Sequence, residues 1–209
     1  MTISKEGRLI VCDWNKRLQW WRKEDASHAG LFAVDSIPHC VAIGPSGDQL
    51  FVSLVSNKIG VISMDGQPIG SMGNGKGSKN GQLNLPIGVA FNSHGDLLVG
   101  DSGNKRICVF EVRSGQCIAT FSDRRFGGGH LHVAVDSFDR MIVSDYGSNR
   151  LSFFDEGSES IGEFGSEGNQ LGQFDRPQGV CMDERIVRLL VCDSGNNRVQ
   201  MVMEEEGKE

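Results

Sequence analysis

Short apolar runs separated by turn-forming clusters dominate the chain. The clearest example is Leu97-Leu98-Val99-Gly100-Asp101-Ser102-Gly103-Asn104-Lys105-Arg106-Ile107-Cys108-Val109-Phe110. It predicts a strand, a tight turn and a second strand. Leu97 to Gly100 is apolar, and Ile107 to Phe110 is β-branched and aromatic. Between them, Asp101 can bond nearby backbone N–H groups, and Gly103 and Asn104 accept positive φ. The same pattern returns at Ile10-Val11-Cys12-Asp13 with Arg17, at Ile142-Val143-Ser144-Asp145 with Arg150, and at Val191-Cys192-Asp193 with Arg198. A degenerate copy at Phe51-Val52-Ser53 places Ser53 and Lys58 in the roles of the Asp and the Arg. A spacing of about 40–50 residues between strand-like units points to a propeller or a related repeat array.

Each repeat divides into four strands, here called inner, second, third and outer. In the third repeat the inner strand is Ile87–Phe91 and the outer is Gln116–Phe121. The repeats fall at about 1–36, 37–80, 81–125, 126–168 and 169–203, with an acidic tail at 204–209. The expected fold is all-β, a propeller with five blades in this chain. Only Met1-Thr2-Ile3-Ser4 stands for the first inner strand, and the fifth repeat runs out after its third strand. Two arrangements fit: a five-bladed ring with an incomplete last blade, or a portion of a longer chain forming a six-bladed ring. In both, the uncovered last strand is an association hazard.

Composition narrows the picture further. The chain has 209 residues, 38% of them hydrophobic, with 28 glycines against 5 prolines, which suits many tight turns. No apolar run is long enough for a membrane-spanning helix, and the start lacks a signal-peptide pattern. There are six cysteines but no C-x-x-C pair. Cys12, Cys108, Cys181 and Cys192 lie inside apolar strand segments, so buried, reduced thiols in a cytoplasmic protein are expected. The net charge of −6 argues against indiscriminate nucleic-acid binding, and no DNA partner is expected.

The repeats resemble NHL repeats. That family's pattern has a Pro-x-Gly-Val-Ala start, a Gly-x-Leu-x-Val-x-Asp middle and an Asn-x-Arg-Val-x-x-Phe end. It is matched best by Pro86-Ile87-Gly88-Val89-Ala90 with Gly95 to Asp101, and by Pro177-Gln178-Gly179-Val180 with Asp193 to Val199. The linkers Gly77–Leu83 and Gly165–Phe174 look like the family as well. The chain is most similar to the C-terminal NHL domains of TRIM-NHL proteins. That resemblance implies a propeller that binds protein or RNA, joined elsewhere to a RING, a B-box and a coiled coil of a ubiquitin ligase. No RING or B-box cysteine pattern occurs in these 209 residues, so ligase chemistry would lie outside them.

Two sets of side chains carry the chemistry. The pairs Asp13/Arg17, Asp101/Arg106, Asp145/Arg150 and Asp193/Arg198 are expected to be structural, an Asp capping a turn and bonded to an Arg across it. In a four-stranded blade the inter-blade linkers and the second-to-third turns share one side. That loop face is expected to be mildly basic, although the chain is acidic. It gathers Trp14, Lys16, His39, Lys58, Lys76, Lys79, Lys105, Arg124, Arg125, His130, Tyr146 and Arg176 as a candidate binding face. Basic groups interleaved with aromatics suit a single-stranded or hairpin RNA. The acidic linker with Glu163, Glu167 and Asp175 counts against RNA, and a protein partner is the leading expectation. A metal-dependent propeller enzyme is a third reading. It rests on His130 and His132, with His39 one loop away in the pattern, but spacing alone supplies no third ligand. No nucleophile motif, P-loop or dinucleotide fingerprint is present, and no cofactor, metal or catalytic residue is expected. The overall expectation is a non-enzymatic binding platform.

Overall fold

A computed structural model describes residues 1–183 and 188–203. The expected acidic tail at 204–209 lies outside the described residues. The described residues form a five-bladed β-propeller of nineteen strands. The first blade holds β1 (Thr2–Ile3), β2 (Arg8–Asp13), β3 (Arg17–Arg22) and β4 (His28–Ala33). The second holds β5 (Pro38–Ile43), β6 (Gln49–Leu54), β7 (Lys58–Ser63) and β8 (Pro68–Met72). The third holds β9 (Pro86–Phe91), β10 (Leu97–Asp101), β11 (Arg106–Glu111) and β12 (Gln116–Phe121). The fourth holds β13 (Leu131–Val135), β14 (Met141–Asp145), β15 (Arg150–Phe154) and β16 (Ser160–Phe164). The fifth holds β17 (Pro177–Asp183), β18 (Arg188–Asp193) and β19 (Arg198–Met203). Each blade is an antiparallel meander paired in chain order.

The second, third and fourth blades are apolar on both faces because each is packed between two neighbours. In β10, Leu97 and Val99 turn toward the second blade and, with Phe110 of β11, join Phe51 and Ile59 in one layer. Leu98, between them, turns the other way to join Leu131, Val133 and Phe154. Equivalent layers join the first blade to the second through Ile10, Leu18 and Val52, and the fourth to the fifth through Ile142, Leu151 and Val191. Burial on both faces explains why the strands read as continuous apolar runs rather than alternating ones.

Each of the four outer strands has a register irregularity where it meets the third strand. Ile69, Ile118 and Ile161 sit at these bulges and are exposed. A bulge disrupts the ladder that a foreign strand would otherwise extend, which blunts each rim edge.

The structure corrects three sequence-based expectations. First, in the second blade the partner of Lys58 is Leu54, not Ser53. Leu54 therefore stands where the other blades have Asp. Ser53 is equivalent to Ser144 and, like it, donates its hydroxyl to the inner strand of the next blade. The acceptors are the Ile87 carbonyl at 2.5 Å and the Gln178 carbonyl. Second, positive φ in the second-to-third turns falls on their last residue: Lys16, Asn57, Lys105, Asn149 and Asn197. Gly103 is needed for a different reason, since a Cβ there would lie 2.5 Å from the Asn84 side chain. Third, the thiols are not uniformly buried. Cys108 and Cys117 are enclosed, whereas Cys181 and Cys192 are exposed. Cys12 packs in the layer against the second blade, and Cys192 fills the same repeat position on the fifth blade. No further blade covers that face among the described residues.

Candidate functional site

The loop face is held in place by the turn carboxylates. Asp101 is fully buried and accepts hydrogen bonds from the Asn84 N–H (2.6 Å), Asn104 Nδ2 (2.7 Å) and Arg106 Nε (2.7 Å). Arg106 then reaches the preceding linker, donating to the Ser78 carbonyl at 2.9 Å and the Gln82 carbonyl at 2.8 Å. The fifth blade repeats this arrangement. Asp193 accepts from the Asp175 N–H (2.8 Å) and Arg198 Nε (2.7 Å), and Arg198 donates to the carbonyls of Asn169 and Gln170, both at 2.8 Å. The pair is therefore a clamp on the linker as well as a tie across the hairpin. The long glycine-rich linkers are fixed by charge-assisted bonds that take up their free carbonyls.

The fourth blade departs from this scheme. Asp145 accepts from the N–H groups of Gly127 (2.7 Å) and Gly147 (3.0 Å), while Arg150 turns outward to Glu163 at 3.1 Å. The linker before this blade is the short Asp123–Gly129 segment, which offers no Gln-Leu loop for an arginine to grip. Asp13 and Arg17 do pair, at 2.6 Å, but near the surface.

Burial opposes the charge on Asp193, yet the donors from Asp175, Arg198, Asn196 and Gln200 outweigh it and hold its pKa below the usual carboxylate value. A depressed carboxylate stabilises the fold above its unfolded-state value, and that stability is lost as pH falls through its folded-state value. Acidification below about pH 4 is therefore expected to release the 169–175 linker before the β18–β19 core opens. Amide hydrogen exchange at Asp175 and Gln173, followed against pH, checks this. Protection that stays level while Asp193 becomes protonated would contradict it.

The predicted binding residues divide into groups. His39, His130, Tyr146 and Arg176 come together in a chain of contacts. Ring centroids lie 6.3 Å apart for His39–His130 and 5.2 Å for His130–Tyr146, and the Arg176 guanidinium sits 6.0 Å from the Tyr146 ring. Arg176 has a left-handed backbone (φ 52°), as does Leu85 at the equivalent place (φ 53°). In each case the N–H is held by an asparagine of the preceding blade, Asn149 Oδ1 at 2.8 Å and Asn57 Oδ1 at 2.9 Å. Left-handed geometry costs a non-glycine residue about 1 kcal/mol, so these asparagines maintain a strained loop that aims Arg176 at Tyr146.

Several predicted cations are engaged within the chain. Lys58 pairs with Asp35 at 2.6 Å, and Arg125 with Asp123 and with Glu163 at 2.8 Å. Lys105 reaches the Gly127 carbonyl at 3.3 Å. Lys16, Lys76, Lys79 and Arg124 form no ion pair among the described residues. Trp14 is 74% exposed on the first blade's turn. Sequence reasoning missed two apolar groups on the same face: Leu171, 91% exposed on the last linker, and Val55, 40% exposed on the second blade's turn. A leucine flanked by Gly168-Asn169-Gln170 and Gly172-Gln173 was the available signal.

Blade number, meander topology and a clamped loop face define a repeat-built β-propeller. Its third repeat carries the match to a known repeat family. The NHL repeat family matches residues 83–110, and the "RING finger protein nhl-1" of Caenorhabditis elegans is 40% identical over 73 residues, 34% of this chain and 7% of that protein. Among solved structures, virginiamycin B lyase from Staphylococcus aureus superposes with a TM-score of 0.65 at 14% identity, covering 98% of this chain and 69% of that one. A streptogramin B lyase gives 0.72 at 14% identity, covering 99% and 65%. The chain thus spans a small part of its sequence relative and about two thirds of these structures. At that identity the likeness to the lyases is one of fold. No helix among the described residues is long and apolar enough to cross a membrane.

Proposed function

We propose that this NHL propeller is a non-enzymatic docking platform that binds a protein partner on its loop face. It would thereby bring that partner to a ubiquitin ligase of the TRIM-NHL kind in the cytoplasm. The observation that carries this reading is the exposure of Trp14 and Leu171 on loops that are themselves held in place. Large apolar groups on a pre-ordered surface lose little entropy on binding and make strong interface anchors. The ion pairs at Lys58 and Arg125 favour protein over RNA, because they neutralise part of the basic face.

Proteins retained on the immobilised chain and identified by mass spectrometry test the reading. The comparison is with a Trp14→Ala, Leu171→Asp variant of unchanged melting temperature. A specific partner is expected to bind the variant about tenfold or more weakly. Equal retention by both would sink the proposal.

The contact of Tyr146 with His130 and Arg176 favours one other reading, in which an unpaired RNA base stacks there and Lys76, Lys79, Lys105 and Arg124 meet phosphates. Titrating a labelled hairpin pool at two salt concentrations decides it. Affinity that falls with salt and is lost in Tyr146→Ala supports RNA, and no salt-sensitive binding removes it.

A further inference from the structure

Among the described residues, three junctions between blades are closed by an apolar side chain from the linker that joins them. Leu83 fills the junction of the second and third blades, Phe126 that of the third and fourth, and Phe174 that of the fourth and fifth. Each is at most 2% exposed. The linker between the first and second blades, 34–37, is too short to fold back in this way. Its Val34 packs against the core layer but stays partly exposed.

A groove remains at this junction. Its volume is about 170 Å³, and its lining includes Val34, Leu54 and Gly60, with Asp35 and Lys58. Asp35 and Lys58 are both reached by solvent and pair at 2.6 Å. Two features of the second blade shape the groove. Leu54 stands where other blades have the clamping aspartate, so this wall is apolar. Gly60 pairs with Val52 at the place where Gln19, Cys108, Ser152 and Gln200 pair with Val11, Val99, Val143 and Val191. Glycine inside a strand weakens it, and it often marks a bulge or the close approach of another backbone or a ligand. The bulge of β7 lies elsewhere, between Val61 and Ile62. No other backbone crowds Gly60 either. A Cβ there would first meet the Leu54 side chain at 3.1 Å, and the Val52 carbonyl oxygen is 3.9 Å away. A ligand is the remaining reason for the glycine.

Size and chemistry limit the ligand. An apolar cavity of about 150 Å³ holds a benzene molecule, so this groove takes a single leucine or phenylalanine side chain. Pockets for small-molecule ligands begin near about 300 Å³. The other junctions show how such a side chain is delivered. Arg106 and Arg198, the counterparts of Lys58, donate to the carbonyls of Gln82 and Gln173. The next residues in the chain are the buried Leu83 and Phe174. Lys58 has three N–H donors, of which one goes to Asp35.

We propose that the groove between the first and second blades is a docking site for an extended segment of a protein partner. A leucine or phenylalanine of that segment enters the groove, and the carbonyl before it accepts a hydrogen bond from Lys58. The partner thereby supplies the residue that the chain's own linkers provide at the other junctions. This site is separate from the one formed by Trp14 and Leu171.

The test is titration of the whole chain with a capped synthetic peptide of the sequence 165–174, which ends in Phe174, followed by calorimetry and by amide NMR shifts. Saturable binding with shifts at Asp35, Lys58 and Gly60 is expected. A peptide carrying Phe174→Asp is expected to bind at least about tenfold more weakly. In the chain, Gly60→Leu fills the groove and is expected to abolish binding, with a melting temperature that shows it folds. Lys58→Met leaves Gly60 and Leu54 in place and is expected to weaken binding about tenfold. Trp14→Ala is expected to leave this binding unchanged, so the groove and the loop-face site fail separately. No saturable binding, shifts confined to the fifth blade, an affinity untouched by both Lys58→Met and the peptide's Phe174→Asp, or a loss with Trp14→Ala would each overturn the site.

Discussion

Replacing Asp101 by alanine is expected to cost about 3–5 kcal/mol of folding stability and to free the linker between the second and third blades. Asp101 is wholly buried, and its Arg106 partner is only 13% exposed in its side chain. Truncation removes the acceptor for three donors at once: the Asn84 N–H, Asn104 Nδ2 and Arg106 Nε. It also leaves a guanidinium without its counter-charge, and an unpaired buried charge is costlier than the loss of either bond. The carbonyls of Ser78 and Gln82 still hold Arg106, but they cannot neutralise it.

Urea unfolding of Asp101→Ala beside the wild type measures the loss, and hydrogen exchange at Asn84 locates it. The matching change Asp13→Ala is expected to have a much smaller effect, since that pair lies nearer the surface and Arg17 grips no linker carbonyl among the described residues. Equal losses at the two positions would show that the clamp contributes nothing beyond a surface ion pair.

Gly88→Val is expected to cost about 3 kcal/mol and to disturb the convergence of the inner strands. A Cβ at Gly88 would lie 2.5 Å from the Cα of His132 and 2.6 Å from the Val133 nitrogen. Both are backbone atoms, so no side-chain rotation relieves the clash. β9 and β13 must move apart, and with them the layer that includes Leu131 and Val133. The displacement also shifts His132 relative to His39. Gly70→Ala is the control, because a Cβ there meets nothing within 4 Å. Melting temperatures should fall by many degrees for Gly88→Val and change little for Gly70→Ala. Comparable falls would mean that close approach of the inner strands does not hold the third and fourth blades together.

Much of the fold could be read from the residues because the signal was local and repeated. Leu97 to Phe110 specifies a hairpin by itself, and its recurrence specifies a propeller. The Asp/Arg pairs were legible for the same reason, since both partners lie on one hairpin. The outward turn of Arg150 was not. It depends on Glu163 in the next strand and on a short preceding linker that offers no carbonyls to grip. The misplacement of Ser53 arose because the second blade's turn carries Leu54 where Asp is usual, so only strand pairing reveals the register.

Local pattern alone determined the strands, their order, the repeat length and the turn chemistry, because each depends on residues within one hairpin. Tertiary structure decided the rest. It chose which loops share a face, which of the face's cations are consumed by neighbouring carboxylates, which cysteines are covered, and that His39 meets His130. Those outcomes depend on distances between blades. Such distances are set by how closely inner strands pack at positions such as Gly88, and they leave no periodic trace along the chain.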